Sequence, residues 1–296
     1  MMASKTMSQG KNSNIDQRIR RVNWKNLTVK LLLTIIMLVV SFTMLMPILW
    51  MFSASFKFEK DVFEIPIRWI PKAWTFDNYI AAVTEYPYFT WYWNTFKVTV
   101  LSNILIVSSS ALAGYALARM NFKGKEVITV AFISTLMIPI EVKIIPQFII
   151  FRQLGLYNTH AALILPWIFH GFAIFLLRQF FMGIPFELTE AARIDGCSEF
   201  MTFYKIILPV AKPALVSVSV ITFVWVWNAF LEPMVFINDV EKQLISVGLS
   251  FFQEEYNDNV AIQMAGASLA IWPMVILYLC AQKYFVEGIA MTGIKG

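Results

Sequence analysis

Long stretches of this sequence contain no charged residue at all. The first lies between Lys30 and Lys57 and runs for 26 residues, LLLTIIMLVVSFTMLMPILWMFSASF. A helix needs about 20 apolar residues to cross the hydrocarbon core of a bilayer. Hydrophobic residues make up 58% of the chain, against roughly 45–50% in an average soluble domain. The chain is therefore predicted to be an integral membrane protein.

Five more windows of this kind follow along the chain. Uncharged windows lie between Lys97 and Arg119 (21 residues), Arg152 and Arg178 (25), Lys212 and Glu232 (19), and Asp258 and Lys283 (24). Another window follows Glu126 and reaches Phe151, and only Glu141 and Lys143 interrupt it. Prolines inside the windows are tolerated because neighbouring helices can satisfy the freed backbone groups. The windows predict an all-α fold with six transmembrane helices.

The positions of lysine and arginine indicate which helix ends face the cytoplasm. With the N-terminus inside, the inner segments are 1–30, 119–126, 178–212 and 283–296, and they hold 16 of the 24 basic residues. Cytoplasmic loops carry the excess of Lys and Arg in membrane proteins, so both termini are predicted to be cytoplasmic. The net charge of +5 is attributed to this topology, and no nucleic-acid partner is expected.

Windows and charges together divide the chain into five predicted regions. They are a cytoplasmic segment 1–30, a first transmembrane helix 31–56, an extracytoplasmic aromatic loop 57–93, a core transmembrane domain 94–286 and a cytoplasmic tail 287–296. The aromatic loop fits either an interfacial belt or a ligand contact. A second outer loop, 232–258, is acidic, and it either touches an external partner or has none.

One polar segment lies between the fourth and fifth windows, on the predicted cytoplasmic side. Residues 190–196 read EAARIDG. Pro185 suits the first position of a helix, and Glu190 falls in its first turns, where the helix dipole favours acids. Gly196 suits a left-handed stop, and Ser198 can cap a second helix that leads into the fifth span. The sequence predicts two short helices joined at a glycine.

The first of these helices has a face that suits contact with another protein. Leu188, Ala191, Ala192 and Asp195 recur at the helical spacing i, i+3, i+4 and i+7. The alanines would let another surface approach closely. An ordinary amphipathic helix in a cytoplasmic loop has the same pattern, so the residues alone leave docking and a purely structural role open.

A longer signature includes this segment. Glu190-Ala191-Ala192, three residues, Gly196, nine residues, Ile206, one residue and Leu208-Pro209 reproduce E-A-A-x3-G-x9-I-x-L-P. This signature is typical of membrane permeases of binding-protein-dependent ABC importers. The chain resembles their carbohydrate-uptake class, which includes the maltose-permease G-type subunit. Supporting stretches are GYALARMNFKGK at 114–125, MIPIEVKIIPQF at 137–148 and WNAFLEPMVF at 227–236.

The resemblance implies the type I ABC importer permease fold, in a bacterial or archaeal cytoplasmic membrane. It also implies a second homologous permease subunit forming a heterodimer, a cytoplasmic ABC ATPase dimer, an extracytoplasmic solute-binding protein and membrane lipid as partners. ATP and Mg would be bound by the ATPase, and no cofactor by this chain. The implied ATPase-coupling residues are Glu190, Ala191, Ala192, Arg193, Asp195, Gly196, Ile206, Leu208 and Pro209.

Roles within this set follow from the resemblance. Glu190 would make polar contacts to the ATPase, and Ala191 and Ala192 would permit close packing there. Gly196 would set the turn, and the pair Leu208-Pro209 would fix the angle into the fifth span. The tail from Tyr284 to Gly296 would reach the ATPase dimer interface, and the loop 232–258 would face the binding protein.

The chain itself is not expected to be an enzyme. It lacks the phosphate-binding pattern G-x-x-x-x-G-K-[ST], and Arg119 stands where the first glycine of that pattern would precede Gly124-Lys125. No nucleophile–base pair and no cluster with metal-ligand spacing are recognisable. Cys197 and Cys280 imply no disulfide framework.

Several polar residues inside the spans have two readings. Glu141 and Lys143, near the outer end of the third span, fit either an interfacial position or the translocation path. His170 and Asn228 fit either satisfied structural groups or substrate ligands. Asn228 is left further open because Ala229 stands where relatives often carry an acid.

Alternative functions remain at this stage. An ABC permease for another solute, such as a glycerol phosphate ester, has the same signature. An ion-coupled secondary transporter is a further alternative, although inverted repeats typical of that class are not recognisable. An intramembrane enzyme or receptor would need a catalytic or ligand constellation that the residues do not provide.

Overall fold

In the computed structural model, the described residues are 24–254 and 257–293, with side chains described for 28–252 and 259–283. The expectations for residues 1–23, for the acidic side chains at positions 254, 255 and 258, and for the side chains of the tail lie outside this part. The first helix, α1 (Trp24–Ser55), contains Pro47. Its residues up to Phe52 belong to a first compact unit, and the chain from Ser53 onward belongs to a second.

The rest of the described chain is almost entirely helical. In order, the elements are α2 (Glu59–Val62), α3 (Asp77–Thr84), α4 (Tyr88–Arg119), α5 (Lys125–Thr135), α6 (Ile140–Gln153), α7 (His160–Ile164), a 3-10 turn (Leu165–Trp167), α8 (Gly171–Gly183), α9 (Glu187–Ile194), α10 (Glu199–Thr202), a π turn (Phe203–Ile207), α11 (Leu208–Val210), α12 (Lys212–Trp227), α13 (Leu231–Phe236), a 3-10 turn (Val240–Lys242), α14 (Ile245–Gly248), a 3-10 turn (Leu249–Phe252), β1 (Gln253–Glu254), β2 (Asn257–Asp258), α15 (Val260–Ala270) and α16 (Trp272–Gly293). β1 and β2 pair antiparallel.

By length and composition, four helical segments among the described residues can cross a membrane, and six can if each bent pair counts as one span. The upper number agrees with the predicted six. The third predicted window is not one continuous helix, because α5 and α6 meet at 102°. Pro139 precedes α6, and a proline disfavours helical geometry in the residue before it. The fourth span starts later than predicted, at His160.

α4 is the helix around which the second unit packs. On one side it contacts α8, where a Cβ at Gly114 would lie 3.1 Å from the Arg178 backbone nitrogen. Glycine at this position therefore allows the two helices to approach closely. On another side α4 contacts α12, and the Asn103 amide donates to the Ser219 carbonyl at 2.7 Å.

The predicted aromatic loop folds partly on itself. The Phe56 ring lies 5.3 Å from the rings of Trp74 and Phe76 and 5.1 Å from that of Tyr79. The neighbouring Lys57 is buried, and its ammonium donates to the Arg68 carbonyl at 2.6 Å. Burial lowers the pKa of Lys57, although nearby acids oppose this effect.

Candidate functional site

The segment between α8 and α12, residues 184–211, forms the predicted pair of short helices. α9 begins at Glu187, and Phe186 is its N-cap. The expectation that Pro185 takes the first helical position is wrong, because the proline lies before the cap. The fixed φ of proline is equally compatible with the extended entry to a helix. We call residues 184–211 the inner segment.

A left-handed glycine separates the two helices, as predicted. Gly196 has φ +77°, and the Cys197 nitrogen donates to the Ala192 carbonyl at 2.9 Å, which closes the end of α9. A Cβ at Gly196 would meet nothing within 4 Å. The backbone conformation alone therefore requires glycine here.

The second helix also begins as predicted. The Ser198 hydroxyl accepts a hydrogen bond from the Met201 nitrogen at 3.3 Å, which satisfies a free N–H at the start of α10. α10 continues through the π turn into α11, and the chain then bends by 78° into α12. The bend follows Leu208-Pro209, the pair expected to set this angle. Ile207 is fully buried, whereas Phe200 is exposed.

The exposed face of α9 agrees with the predicted one at Leu188, Ala191 and Asp195 but not at Ala192. Ala192 is 2% exposed and packs inside this chain, so the close packing expected of it against a partner is provided by its own fold. Ala191 is exposed, and Ile194 is 86% exposed. Sequence periodicity defines a face but not which side the fold covers. The exposed residues from the start of α9 to the turn are Glu187, Leu188, Glu190, Ala191, Arg193, Ile194, Asp195 and Gly196.

Arg119, the last residue of α4, holds the start of the inner segment. The residue is 5% exposed, and its guanidinium donates to the Phe181 carbonyl at 2.7 and 3.0 Å and to the Ile184 carbonyl. These carbonyls belong to the C-terminal end of α8, where a helix leaves acceptors without partners. The guanidinium carbon also lies 5.6 Å from the centre of the Phe186 ring.

A second connection joins α4 to α10. The Tyr115 hydroxyl donates to Glu199 Oε2 at 3.1 Å. The other oxygen of Glu199 accepts from Arg193 Nη2 at 2.6 Å and Nε at 2.9 Å. Glu199 therefore links the outward-facing helix α9 to the helix at the centre of the bundle.

These anchoring residues were missed from sequence, except that Arg193 was included in the signature loop. Tyr115 and Arg119 lie within GYALARMNFKGK, where the signal was an arginine directly after an uncharged span. A charge at that position suggested only the membrane boundary. The partners of both residues are distant in sequence. Tyr115 and Glu199, for example, are 84 residues apart.

The residues considered for a translocation path are not all brought together. Glu141 is exposed, and Lys143 is half-buried. Asn228 is exposed and donates to the Val224 carbonyl at 2.8 Å and to Met274 Sδ at 3.3 Å. Glu232, not singled out from sequence for this role, is half-buried just after α12. Burial raises the pKa of Glu232, although a backbone hydrogen bond and the charge of Lys143 lower it.

The bundle and the inner segment together define a class of protein. Helices long enough to span a bilayer, joined to a short polar helix that is anchored internally and exposed outwardly, form a multi-pass membrane transport component. The fold has a counterpart in the crystal structure of a bacterial ABC transporter that imports the acidic polysaccharide alginate. One of its chains superposes with a TM-score of 0.78, at 24% identity, over 88% of this chain and 98% of that one.

The family is shown by sequence. Residues 110–291 match the family described as the inner membrane component of binding-protein-dependent transport systems, and the chain belongs to it. A probable ABC transporter permease of Bacillus subtilis, YurM, is 38% identical over 84% of this chain and 83% of its own length. The arabinooligosaccharide transport permease AraQ of Halalkalibacterium halodurans is 36% identical over 90% of this chain and 96% of its own.

Proposed function

We propose that this chain imports a carbohydrate, an oligosaccharide in particular, as one of two homologous permease subunits in a binding-protein-dependent ABC importer. The permease AraQ supports this substrate class, because it is named for arabinooligosaccharides and covers 90% of the chain. A glycerol phosphate ester is the second candidate solute. Both termini lie in the cytoplasm, as the distribution of Lys and Arg indicates.

A separate cytoplasmic ATPase dimer binds ATP and Mg and hydrolyses the ATP that drives import. The inner segment docks on it through the outward face of α9. The observation that carries this proposal is the combination of a polar, exposed helix with Ile194 86% exposed. An apolar side chain left this exposed on a polar helix suits burial against a partner.

Within the inner segment the residues take distinct roles. Glu190, Arg193 and Asp195 offer charges to the ATPase, and Ala191 and Gly196 let it approach closely. Ile206, Leu208 and Pro209 carry the movement into α12. Ala192 contributes from inside by letting α9 lie close to its own chain. An extracytoplasmic binding protein delivers the solute at the opposite side.

Replacement of Gly196 tests the coupling role. A non-glycine residue pays roughly 1–2 kcal/mol to adopt the left-handed conformation, which is a factor of about 5–30 in an equilibrium. We expect Gly196→Asp to abolish most ATP-driven uptake in proteoliposomes containing the complete importer, while the complex still assembles. The measurements are labelled-sugar uptake, ATP hydrolysis and co-purification of the ATPase.

Gly155→Asp is the matched control. Gly155 also has a positive φ, +70°, and a Cβ there would meet nothing within 4 Å. The control should import sugar at close to the wild-type rate. Uptake that persists in Gly196→Asp shows that the coupling assignment is wrong. If the complete importer takes up glycerol phosphate and no sugar, its solute is the phosphate ester and not a carbohydrate. If uptake proceeds without ATP and a protonophore abolishes it, the protein is a secondary transporter.

A further inference from the structure

A group of aromatic rings lies where the span His160–Gly183 is interrupted. Trp167, which ends the 3-10 turn, stacks on His170 with ring centroids 5.4 Å apart and planes at 22°. Trp225 of α12 lies 5.4 Å from the His170 ring and 5.0 Å from the Phe172 ring. We call these four residues the aromatic cluster. It joins two spans near the middle of one of them.

The interruption leaves irregular backbone inside the span. Ser109 donates to the Ile168 carbonyl, and His170 Nδ1 accepts from the Ala173 nitrogen at 3.4 Å. Such backbone is tolerated at membrane depth where it is buried in protein or lines a water-filled cavity. Phe169 is 72% exposed, so the described part of this chain does not cover the interruption.

Polar side chains surround the cluster. Asn228 lies one turn beyond Trp225 on the same side of the helix end and is exposed. Glu232 and Trp167 line one small cavity. Glu232 lies just beyond the end of the span that carries Trp225, and an ionisable group at such a position faces water or the bundle interior, so we place this side of the cluster beside an aqueous path.

The combination of rings and polar groups matches the surface of a sugar. One face of a pyranose or furanose ring presents C–H groups, which pack on an aromatic plane, and the hydroxyl groups around its edge need donors and acceptors. Trp225 is 41% exposed and offers a ring face. Because Nδ1 of neutral His170 accepts, its Nε2 carries the proton and donates. The amide oxygen of Asn228, whose nitrogen already donates within this chain, and the carboxyl group of Glu232 complete the set as acceptors.

We propose that the aromatic cluster, with Asn228 and Glu232, binds one sugar ring of the carbohydrate as it passes through the membrane. The site belongs to this chain, so substrate contacts are not confined to the second permease subunit. This inference rests on the proposed function and adds to it a place where the substrate is held.

The test is Trp225→Ala in the complete importer, reconstituted in proteoliposomes with the loaded binding protein at saturation. Arabinotriose and maltotriose are the probes. We expect the sugar imported per ATP hydrolysed to fall about fivefold, since one aromatic stacking contact is lost. Trp225→Phe, which keeps a ring face, should retain most of the transport. ATP hydrolysis stimulated by the binding protein should change by less than about twofold.

Trp93→Ala is the matched control. Trp93 is 58% exposed and stacks with Phe96 at 5.7 Å, so this change removes an exposed, ring-stacked tryptophan elsewhere. The inference is overturned if Trp225→Ala imports sugar as the wild type does, if Trp93→Ala lowers import equally, or if Trp225→Ala loses the second permease on purification. A wild-type importer that carries neither probe nor any other sugar overturns the proposed function itself.

Discussion

The two ends of α4 hold two loops in different ways. At one end, Trp91 Nε1 donates to the Val240 carbonyl at 2.7 Å, and the Asn94 amide donates to the Glu241 carbonyl at 2.7 Å. Thr95 Oγ1 accepts from the Ile245 nitrogen, also at 2.7 Å. At the other end, Tyr115 reaches the inner segment through a carboxylate side chain. The first loop is held by its main chain. The second is held at the Ile184 carbonyl by Arg119 and at the Glu199 side chain by Tyr115, and Glu199 in turn forms an ion pair with Arg193 of α9.

This difference suits the two proposed tasks. Bonds from neutral side chains to main-chain atoms fix the path of a loop whatever side chains it carries, and salt does not screen them. The pair Arg193–Glu199 has side chains 44% and 38% exposed, and an exposed ion pair contributes only about 0–1 kcal/mol. Such a link can open and close at little cost. We infer a fixed outer loop and an inner segment that Arg119 fixes to α4 at its start, whereas α9 is free to shift relative to α10.

The largest effect is expected at the fixed end. A Cβ at Gly248 would lie 2.5 Å from Trp91 Cδ2 and closer still to Trp91 Cε3. So severe an overlap should cost more than the roughly 1–3 kcal/mol that is typical of overpacking. We expect Gly248→Ala to displace Trp91 and to break its bond to the Val240 carbonyl. The measurement is thermal unfolding of the purified importer, together with hydrogen exchange of residues 240–252.

Gly183→Ala is the control for this change, because a Cβ there would meet nothing within 4 Å. It should leave both measurements close to those of the wild type. If Gly248→Ala is as stable as the control and as protected from exchange as the wild type, the outer loop is not held as tightly as we describe.

A smaller loss is expected from Arg119→Met. The change leaves the Phe181 and Ile184 carbonyls without their donor, and a lost hydrogen bond to a charged group costs roughly 1.5–3 kcal/mol. Arg119→Lys should recover part of this, because lysine donates from a single point rather than a planar fork. Thermal unfolding measures the loss of stability. The amount of ATP hydrolysed per sugar imported measures how much looser the coupling becomes.

Arg152→Met provides the comparison for that result. Arg152 is also in the last turn of a helix, α6, but is exposed. Its replacement should change stability by less than about 0.5 kcal/mol. Equal losses in the two variants would mean that Arg119 acts only as a charge at a helix end.

Local features of the fold were predictable from sequence. Charge is costly in hydrocarbon, so uncharged windows located the spans. The turn at Gly196 and the cap at Ser198 depend on residues a few positions apart, and both were predicted correctly. The family signature located the inner segment for the same reason, because its specified positions lie close together in sequence.

Features set by distant contacts were not predictable. Pro139 and Pro166 lie in two windows, yet a proline can kink a span or end a helix, depending on what packs beside it. At Gly171 a Cβ would lie 2.8 Å from the Phe132 carbonyl, and no local pattern indicates this close approach. The same applies to Ala192, which the fold covers although its neighbour Ala191 is exposed.

The smallest effect is expected at Glu199, and it most sharply separates the two ends of α4. Glu199→Gln removes the charge but keeps an oxygen for Tyr115, so it should destabilise the importer by less than about 1 kcal/mol. The difference from wild type should vanish near 1 M salt, where the screening length falls to about 3 Å. Thermal unfolding at low and high salt measures this difference. The double variant Glu199→Gln with Arg193→Met should lose no more stability than the sum of the losses in the two single variants. A loss of several kcal/mol that salt does not reduce would mean that the inner segment is held as rigidly as the outer loop. Its movement would then have to include α4 itself.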